Sequence, residues 1–444
     1  MTTPNLLSAV DAARKIASGD LTSTALVESC LARIAERDGA VKAFVHIDPA
    51  YARAQAKAAD EAARQGRGVG PLHGVPVAIK DIIDTADMPT QQGCPIFKDQ
   101  RPEADAACVS ALRKASAVIL GKTVTTELAT LTPNVTHNPR HLDHTPGGSS
   151  SGSAAAVADD MVPLALGTQT GGSVIRPGSF CGIYGFKPTY GLIPRTGVLD
   201  QAQSLDTVGV YARCIEDLAV ITDVLAVYDP RDQASLSTSH ASLHSIATAP
   251  WKVKPMFAYV KTSAWEEHAD AATKEAFGEL IETLGSQVEE INIDETTRDG
   301  IAAHRIINDA ELAMRFGPLL DRNPDLISPQ LAKRIEGSRV ITATQYLDAL
   351  DARARLYVSC QHLFTEYGNI LTLAAPGTAP KGLGSTGKPI FNSFWTMMGT
   401  PAVTLPLLEV DGLPLGVQLI GARRDDGRLL RTARLLVEQL SAEA

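Results

Sequence analysis

The chain opens with apolar residues spaced as in amphipathic helices. The apolar positions of the first strong repeat are Leu26, Cys30 and Ile34. This period predicts a helix that Thr22 caps and that Gly39 ends. A second helix is predicted over the alanine-rich residues 51–65.

After residue 66 the pattern changes to short apolar runs separated by helical stretches. Runs of strand length occur at 75–79, 117–120, 162–166, 370–374, 402–407 and 416–420. Helices are predicted at 104–116, 153–160 and 428–440. Such alternation predicts an α/β protein built around a central sheet.

Composition narrows the class of protein. The 444 residues are 44% hydrophobic and 20% charged, which is enough for a large core. The net charge of −9 argues against nucleic-acid or anionic-membrane partners. No apolar run reaches the roughly 18 residues of a membrane span, and no basic start precedes an apolar stretch. Six scattered cysteines suit reduced thiols, so we expect a cytoplasmic protein.

Two loops rich in glycine and serine, at 145–153 and 167–177, are the strongest chemical signal. Glycines let hydroxyls and backbone N–H groups approach a substrate closely. In the second loop, two glycines precede Ser173, and the N–H groups of Thr170, Gly171, Gly172 and Ser173 could converge on one oxyanion. Alternatively, each loop is a turn or a helix cap with incidental serines. A phosphate-binding loop is disfavoured because Ser153 stands where its lysine should be.

Lys80 ends the apolar run at 75–79, and isoleucines follow it at 82 and 83. A lysine in such a setting can be desolvated, which lowers its pKa and lets it act as a base. The alternative is a surface lysine with its stem along apolar neighbours. Lysine and two serines together suffice for acyl transfer without a cofactor.

Three histidines, at 137, 141 and 144, precede the first serine loop. Their number suggests metal ligands, but Pro139 breaks any helical spacing between them. We therefore expect no metal site and no cofactor, and we expect these histidines to support the loop.

Lys80, Ser149 and Ser173, with their flanking segments, resemble the amidase signature family. Its members hydrolyse amides, and in some cases carbamates or esters, through a Ser–cisSer–Lys triad. The resemblance covers nearly the whole chain, including 376–380 and 412–418. It implies that Ser173 is the nucleophile, Ser149 the bridging serine after a cis peptide bond, and Lys80 the base. It also places the oxyanion hole at 170–173 and the substrate, a small-molecule amide, beside Gly148 and Ser150.

Three positions depart from the usual family pattern. Gln169 replaces an aspartate, which removes a negative charge near Lys80; Ser151 replaces a commoner glycine. Arg176 lies three residues after the nucleophile rather than two. This version most resembles malonamidase-like members. Arg176 could bind a substrate carboxylate bidentately, or it could form a structural ion pair under the loop.

The resemblance implies a large mixed, mainly parallel central sheet covered by helices on both faces. We expect one domain over 1–444, with an N-terminal helical segment (1–66) and a catalytic core (67–227). A variable helical region that covers the substrate (228–361) and a return to the sheet (362–444) complete it. Dimers are common on this fold, so a homodimer is one open possibility.

Other functions stay open at this stage. Glutaminase subunits that pass ammonia to a tRNA-bound partner share the same motifs, although Gln169 and the position of Arg176 argue against this assignment. A binding protein on the same fold would have lost Lys80, Ser149 or Ser173, and all three are present. A metallo-hydrolase that uses the histidines ranks last. The favoured prediction is an amidase that cleaves a C–N bond by acyl transfer.

Overall fold

A single mixed sheet forms the centre of the computed structural model, which describes residues 3–67, 70–237, 240–251 and 253–443. Its eleven strands within those ranges are β1 (Phe44–Ile47), β2 (Pro76–Lys80), β3 (Val118–Thr123), β4 (Leu164–Gln169), β5 (Tyr184–Lys187), β6 (Thr207–Ala212), β7 (Phe257–Val260), β8 (Val288–Ile291), β9 (Asn369–Leu373), β10 (Ala402–Val410) and β11 (Leu413–Gly421). Their spatial order is β1-β3-β2-β4-β6-β5-β10-β11-β9-β7-β8.

The helices that surround the sheet are α1 (Ala9–Ser18), α2 (Ser23–Val41), α3 (Pro49–Arg64), α4 (Ala107–Lys114), α5 (Ser151–Ala158), α6 (Ile175–Cys181), α7 (Ile215–Leu225), α8 (Leu243–Thr248), α9 (Trp265–His268), α10 (Ala271–Leu284), α11 (Asp294–Arg322), α12 (Pro329–Ser338), α13 (Ala343–Glu366), α14 (Ser393–Met397) and α15 (Asp426–Glu443). None of the helices in the described ranges has the length and apolarity needed to cross a bilayer. All six cysteines are unpaired thiols.

The large mixed sheet is confirmed, but parallel pairs do not dominate it. Strands β3, β2 and β4 pair in parallel, as do β9, β7 and β8, whereas the other six pairings of the described strands are antiparallel. The difference has a local cause at the β10–β11 connection. Asp411 and Gly412 both have positive φ, 52° and 76°, and such a pair makes the tight turn of an antiparallel hairpin.

The predicted elements occur close to their expected positions, with one clear correction near the N-terminus. Thr22 caps α2 as expected, accepting a hydrogen bond from the N–H of Ala25 at 3.0 Å. However, α2 continues through Gly39 to Val41 and ends where Lys42 adopts φ 56°. A glycine inside a helix costs only about 1 kcal/mol relative to alanine, so packing can carry the helix past it.

The helix that follows the first serine loop is buried on all sides. Every residue of α5 is buried, and the helix packs on β2, β3 and β4. The region 228–361 is mainly helical, as expected, but it also adds β7 and β8 to one edge of the sheet. The serine loops thus lie over the centre of the molecule, with helix α11 from the 228–361 region near them.

Candidate active site

Lys80 ends β2, and its side chain is fully buried. Its Nζ lies 2.7 Å from Ser149 Oγ and 2.8 Å from Thr168 Oγ1. The peptide bond between Gly148 and Ser149 is cis, as the family resemblance implies. No carboxylate in the described ranges forms an ion pair with Lys80, so two neutral hydroxyls are its hydrogen-bond partners.

Burial lowers the pKa of Lys80 well below its ordinary value, and the negative charge of Asp206 opposes this shift only in part. Burial also raises the pKa of Asp206 to about 6, against hydrogen bonds from Thr170, Ala202 and Gln201. A lysine of lowered pKa can be neutral near physiological pH and accept a proton.

The loop at 170–173 has its carbonyl groups bound and its amide groups free. His304 Nε2 donates to Thr170 O at 2.8 Å, and Thr396 Oγ1 donates to Gly171 O at 2.7 Å. The Gly172 and Ser173 carbonyls also have donors within the protein: Arg176 N at 3.0 Å and Tyr211 Oη at 3.1 Å. By contrast, the N–H groups of residues 171–173 have no acceptor among the described residues. Free amides on a loop fixed by its carbonyls suit the binding of an oxyanion.

Ser173 lies on this loop and is partly exposed. Its hydroxyl makes no hydrogen bond in the described ranges, so the structure joins Lys80 to Ser149 but does not join Ser149 to Ser173. The two loops are nevertheless adjacent. The guanidinium of Arg176 donates through Nη2 to Gly148 O at 2.6 Å, and its Nη1 lies 3.0 Å from where a methyl group on Gly172 would sit. One planar group thus spans the residues that precede the two serines.

Gln169 holds the start of helix α6 rather than acting on Lys80 directly. Its Oε1 accepts from the N–H groups of Val174 and Ile175 at 2.8 and 3.0 Å. Its Nε2 donates to Thr396 Oγ1 at 2.9 Å. A carboxylate here could accept the first two bonds but could not donate the third. The amide therefore connects the helix start to the hydroxyl that binds Gly171.

Arg176 is buried beneath both loops and forms no ion pair with any described acid, so the expected structural ion pair is absent. Instead its guanidinium binds carbonyl groups: that of Gly148, and that of Thr386 at 2.6 Å from Nε. Burial lowers its pKa to about 10. Nη1 has no hydrogen-bond partner, and Arg176 contributes to the wall of the cavity beside Ser173. Its role toward substrate stays a prediction.

The other predicted substrate contacts lie deeper in the protein. Ser150 is fully buried, and its hydroxyl interacts with both the N–H and the carbonyl of Thr168 at 3.2 Å. This burial favours a role in positioning Thr168. Gly148 is also buried, and a methyl group on it would lie 2.8 Å from side-chain carbons of Thr126 and Thr386.

The three histidines support the chain before the first loop. His137 Nδ1 lies 2.7 Å from Leu142 O, and the rings of His141 and His144 pack edge to face at 4.4 Å. Within the described ranges, no cluster of three or more histidine, cysteine or acidic side chains could hold a metal ion.

A cavity of about 420 Å³ opens in front of the oxyanion loop. One wall is the loop 170–173 with Arg176, and the facing wall comes from helix α11, including His304. His304 is buried, which lowers its pKa to about 4. A neutral imidazole that donates from Nε2 keeps its other nitrogen as an acceptor.

Sequence reasoning missed four residues that touch this machinery: Thr168, Asp206, His304 and Thr396. Thr168 sits beside Gln169 in the second glycine-serine loop, so its position could have drawn attention. His304 and Thr396 lie far along the chain from the loop that they hold. They carry no local signal that distinguishes them from core residues.

Comparison with known proteins places the chain in a family. The Amidase family model matches residues 25–430. A subunit of the glutamyl-tRNA(Gln) amidotransferase of Chloroflexus aurantiacus is 34% identical over 97% of this chain and 96% of its own length.

Solved structures agree on the fold. A chain from a vestigial protein complex that reveals the evolutionary origins of an s-triazine catabolic enzyme superposes with a TM-score of 0.90 at 28% identity, covering 98% of both chains. The peptide amidase of Stenotrophomonas maltophilia gives 0.84 at 25% identity, covering 98% of this chain and 97% of its own. Fold and site together define an amidase-type protein. The chain belongs to the amidase signature family.

Proposed function

We propose that this protein hydrolyses the C–N bond of a small amide, with Ser173 as nucleophile, Ser149 as proton relay and Lys80 as base. The observation that carries the proposal is Lys80: it is fully buried, has no acidic partner among the described residues, and lies 2.7 Å from Ser149 Oγ. Anilides and carbamates fall within the same chemistry.

The reaction follows from these positions. Neutral Lys80 takes a proton from Ser149, which takes the proton of Ser173 as Ser173 Oγ bonds to the substrate carbonyl carbon. The carbonyl π electrons move to oxygen, and the free N–H groups of residues 171–173 stabilise this charge. The proton returns through Ser149 to the leaving nitrogen as the C–N bond breaks. Water then hydrolyses the acyl-enzyme by the same relay.

Ser173 must turn its hydroxyl toward Ser149 for this relay to connect. Hydrogen bonds between catalytic groups are often incomplete without substrate and tighten when it binds. Because Ser173 is partly exposed at the cavity wall, bound substrate can impose that orientation.

The direct test uses the isolated chain with small amides, anilides and carbamates. We expect Ser173→Ala, Ser149→Ala and Lys80→Met each to abolish turnover, with circular dichroism unchanged. A fluorophosphonate should label the wild-type protein at Ser173. Ser359→Ala, which removes an exposed hydroxyl on α13, is the matched control and should retain full activity. Near-normal turnover by Ser173→Ala would overturn the proposal.

A second candidate is a component of a glutaminase-type amidotransferase. The 34% identity to a glutamyl-tRNA(Gln) amidotransferase chain over nearly the whole length favours it. That assignment requires partner chains, so the isolated protein should be inactive on simple amides. Serine-dependent turnover of simple amides by this chain alone would favour the hydrolase.

Arg176 offers a separate test of how the substrate is held. Since Arg176 binds the carbonyls of Gly148 and Thr386, Arg176→Ala should reduce kcat/KM on charged and neutral amides alike. A loss confined to carboxylate-bearing amides would instead make it a substrate contact. A non-catalytic binding protein would show neither labelling nor turnover.

A further inference from the structure

The cavity in front of Ser173 is positively charged in a protein of net charge −9. Its lining includes four cationic side chains and a single carboxylate: Arg176, Arg305, Arg334, Lys388 and Asp309. Formally, three positive charges are in excess. A concave site lined by one sign of charge concentrates ligands of the opposite sign.

Asp309 neutralises only one of these cations. Its Oδ1 accepts from Arg334 Nε at 2.9 Å and from Nη2 at 2.7 Å, which makes a close ion pair. Arg305 lies farther away, with Nε at 3.6 Å from Oδ2, and its side chain is 84% exposed. Lys388 is exposed and has no ion pair within the described ranges. Arg305 and Lys388 are therefore the available charges at the cavity mouth.

Both charges are placed beside the oxyanion loop by their chain neighbours. Arg305 follows His304, whose ring donates to Thr170 O. Lys388 precedes Pro389, and a methyl group on Gly171 would lie 3.5 Å from Pro389 Cβ. Long flexible stems let such side chains reach a group bound nearby while staying hydrated.

We propose that the substrate is an amide that carries an anionic group away from its scissile bond, and that Arg305 and Lys388 bind this group at the cavity mouth. The ω-amides of short dicarboxylic acids have this chemistry. This inference rests on the proposed amide hydrolysis at Ser173 and names its substrate class.

The test compares succinamate and glutaramate with the neutral amides of equal carbon number, butyramide and pentanamide. We expect the wild-type enzyme to favour the anionic amides. Lys388→Gln and Arg305→Gln should each reduce kcat/KM on them by about two- to fivefold, as for exposed ion pairs, and Lys388→Glu by about tenfold. Rates on the neutral amides should not change.

Two controls isolate the charge. Lys333→Gln removes an exposed lysine of α12 outside the cavity lining and should leave the preference intact. Raising salt from about 10 mM to about 1 M, which shortens the Debye length from about 30 to about 3 Å, should reduce the anionic advantage in wild type. It should have little effect on that ratio in Lys388→Gln.

Failure of this inference is distinguishable from failure of the hydrolase proposal. Equal turnover of anionic and neutral amides, lost in Ser173→Ala, would overturn the substrate class alone. Binding supplies a readout that needs no turnover. Calorimetry with Ser173→Ala should detect succinamate more strongly than butyramide, and Lys388→Glu in that background should remove the difference. Equal binding of the two amides would overturn the inference even if neither is hydrolysed.

Discussion

Lys80 on β2 and Lys122 on β3 are neighbours in the sheet, where Ile79 pairs with Lys122, and both side chains are fully buried. Their surroundings differ. Lys122 donates to the carbonyls of Ile83 and Pro89 at 2.8 and 3.1 Å. Its Nζ also lies 2.6 Å from Thr90 Oγ1 and 3.6 Å from Asp81 Oδ1. Lys80 has two hydroxyl partners and no acid beside it.

The distribution of the acid follows from strand geometry. Asp81 follows Lys80 directly in the chain, yet it lies beside Lys122. Successive side chains of a strand point to opposite faces of the sheet, so adjacent residues serve different sites. Burial lowers the pKa of Lys122 only to about 8, because Asp81 and other acids oppose the shift. Equal burial thus yields a structural cation at one site and a candidate base at the other.

The largest expected effect of breaking this contrast is at Lys80. Lys80→Met keeps the buried stem and removes the amine, so kcat should fall by about 10⁴-fold or more, as for a residue of a catalytic triad. Stability near neutral pH should not fall, because no buried ion pair is broken. Steady-state kinetics and urea unfolding measure the two quantities. A loss of stability that accounts for the lost activity would contradict the assignment of Lys80 as base.

The same change at Lys122 should act on stability instead. Lys122→Met leaves Asp81 buried without its cation, and breaking a buried pair in this way costs about 3–5 kcal/mol. The fraction that remains folded should keep the kcat of the wild type, since Lys80, Ser149 and Ser173 are unchanged. Urea unfolding with active-site titration by a fluorophosphonate separates the two readouts. A loss of kcat per labelled site would place Lys122 in the chemistry.

A smaller effect is expected from the hydroxyl beside each lysine. Thr168→Val removes one of the two partners of Lys80, and losing a hydrogen bond worth about 1 kcal/mol should reduce kcat by about fivefold. Thr90→Val, the matched change beside Lys122, should reduce stability by a similar free energy and leave kcat intact. Equal effects of both variants on kcat would show that the two sites are not distinct.

The smallest effect is a displacement of the pH profile. Asp206 raises the pKa of Lys80 through its negative charge, so Asp206→Asn should lower that pKa further. Activity requires neutral Lys80 and is lost as falling pH protonates it. The acid limb of kcat/KM should therefore move to lower pH, by less than about one unit. Movement to higher pH would exclude Lys80 as the group that titrates.

Much of the fold was readable from the chain because its signals are local. Apolar periods located β2, β4, α5 and α15 to within a few residues, since alternation and helical spacing report burial directly. Strand direction was not readable, because it depends on how each connection folds back. The Asp411–Gly412 turn, which forces the antiparallel β10–β11 pair, was part of a segment noted only for its family resemblance.

The sequence by itself determined which chemistry is available: a lysine at the end of a buried strand and serines framed by glycines. Those signals survive in isolation because burial and backbone freedom are set by immediate neighbours. Only the tertiary structure decided that Lys80 escapes Asp81, that Arg176 binds carbonyls, and that His304 fixes Thr170. Each of these facts joins residues from different elements, and a hydrogen bond or a charge acts through space rather than along the chain.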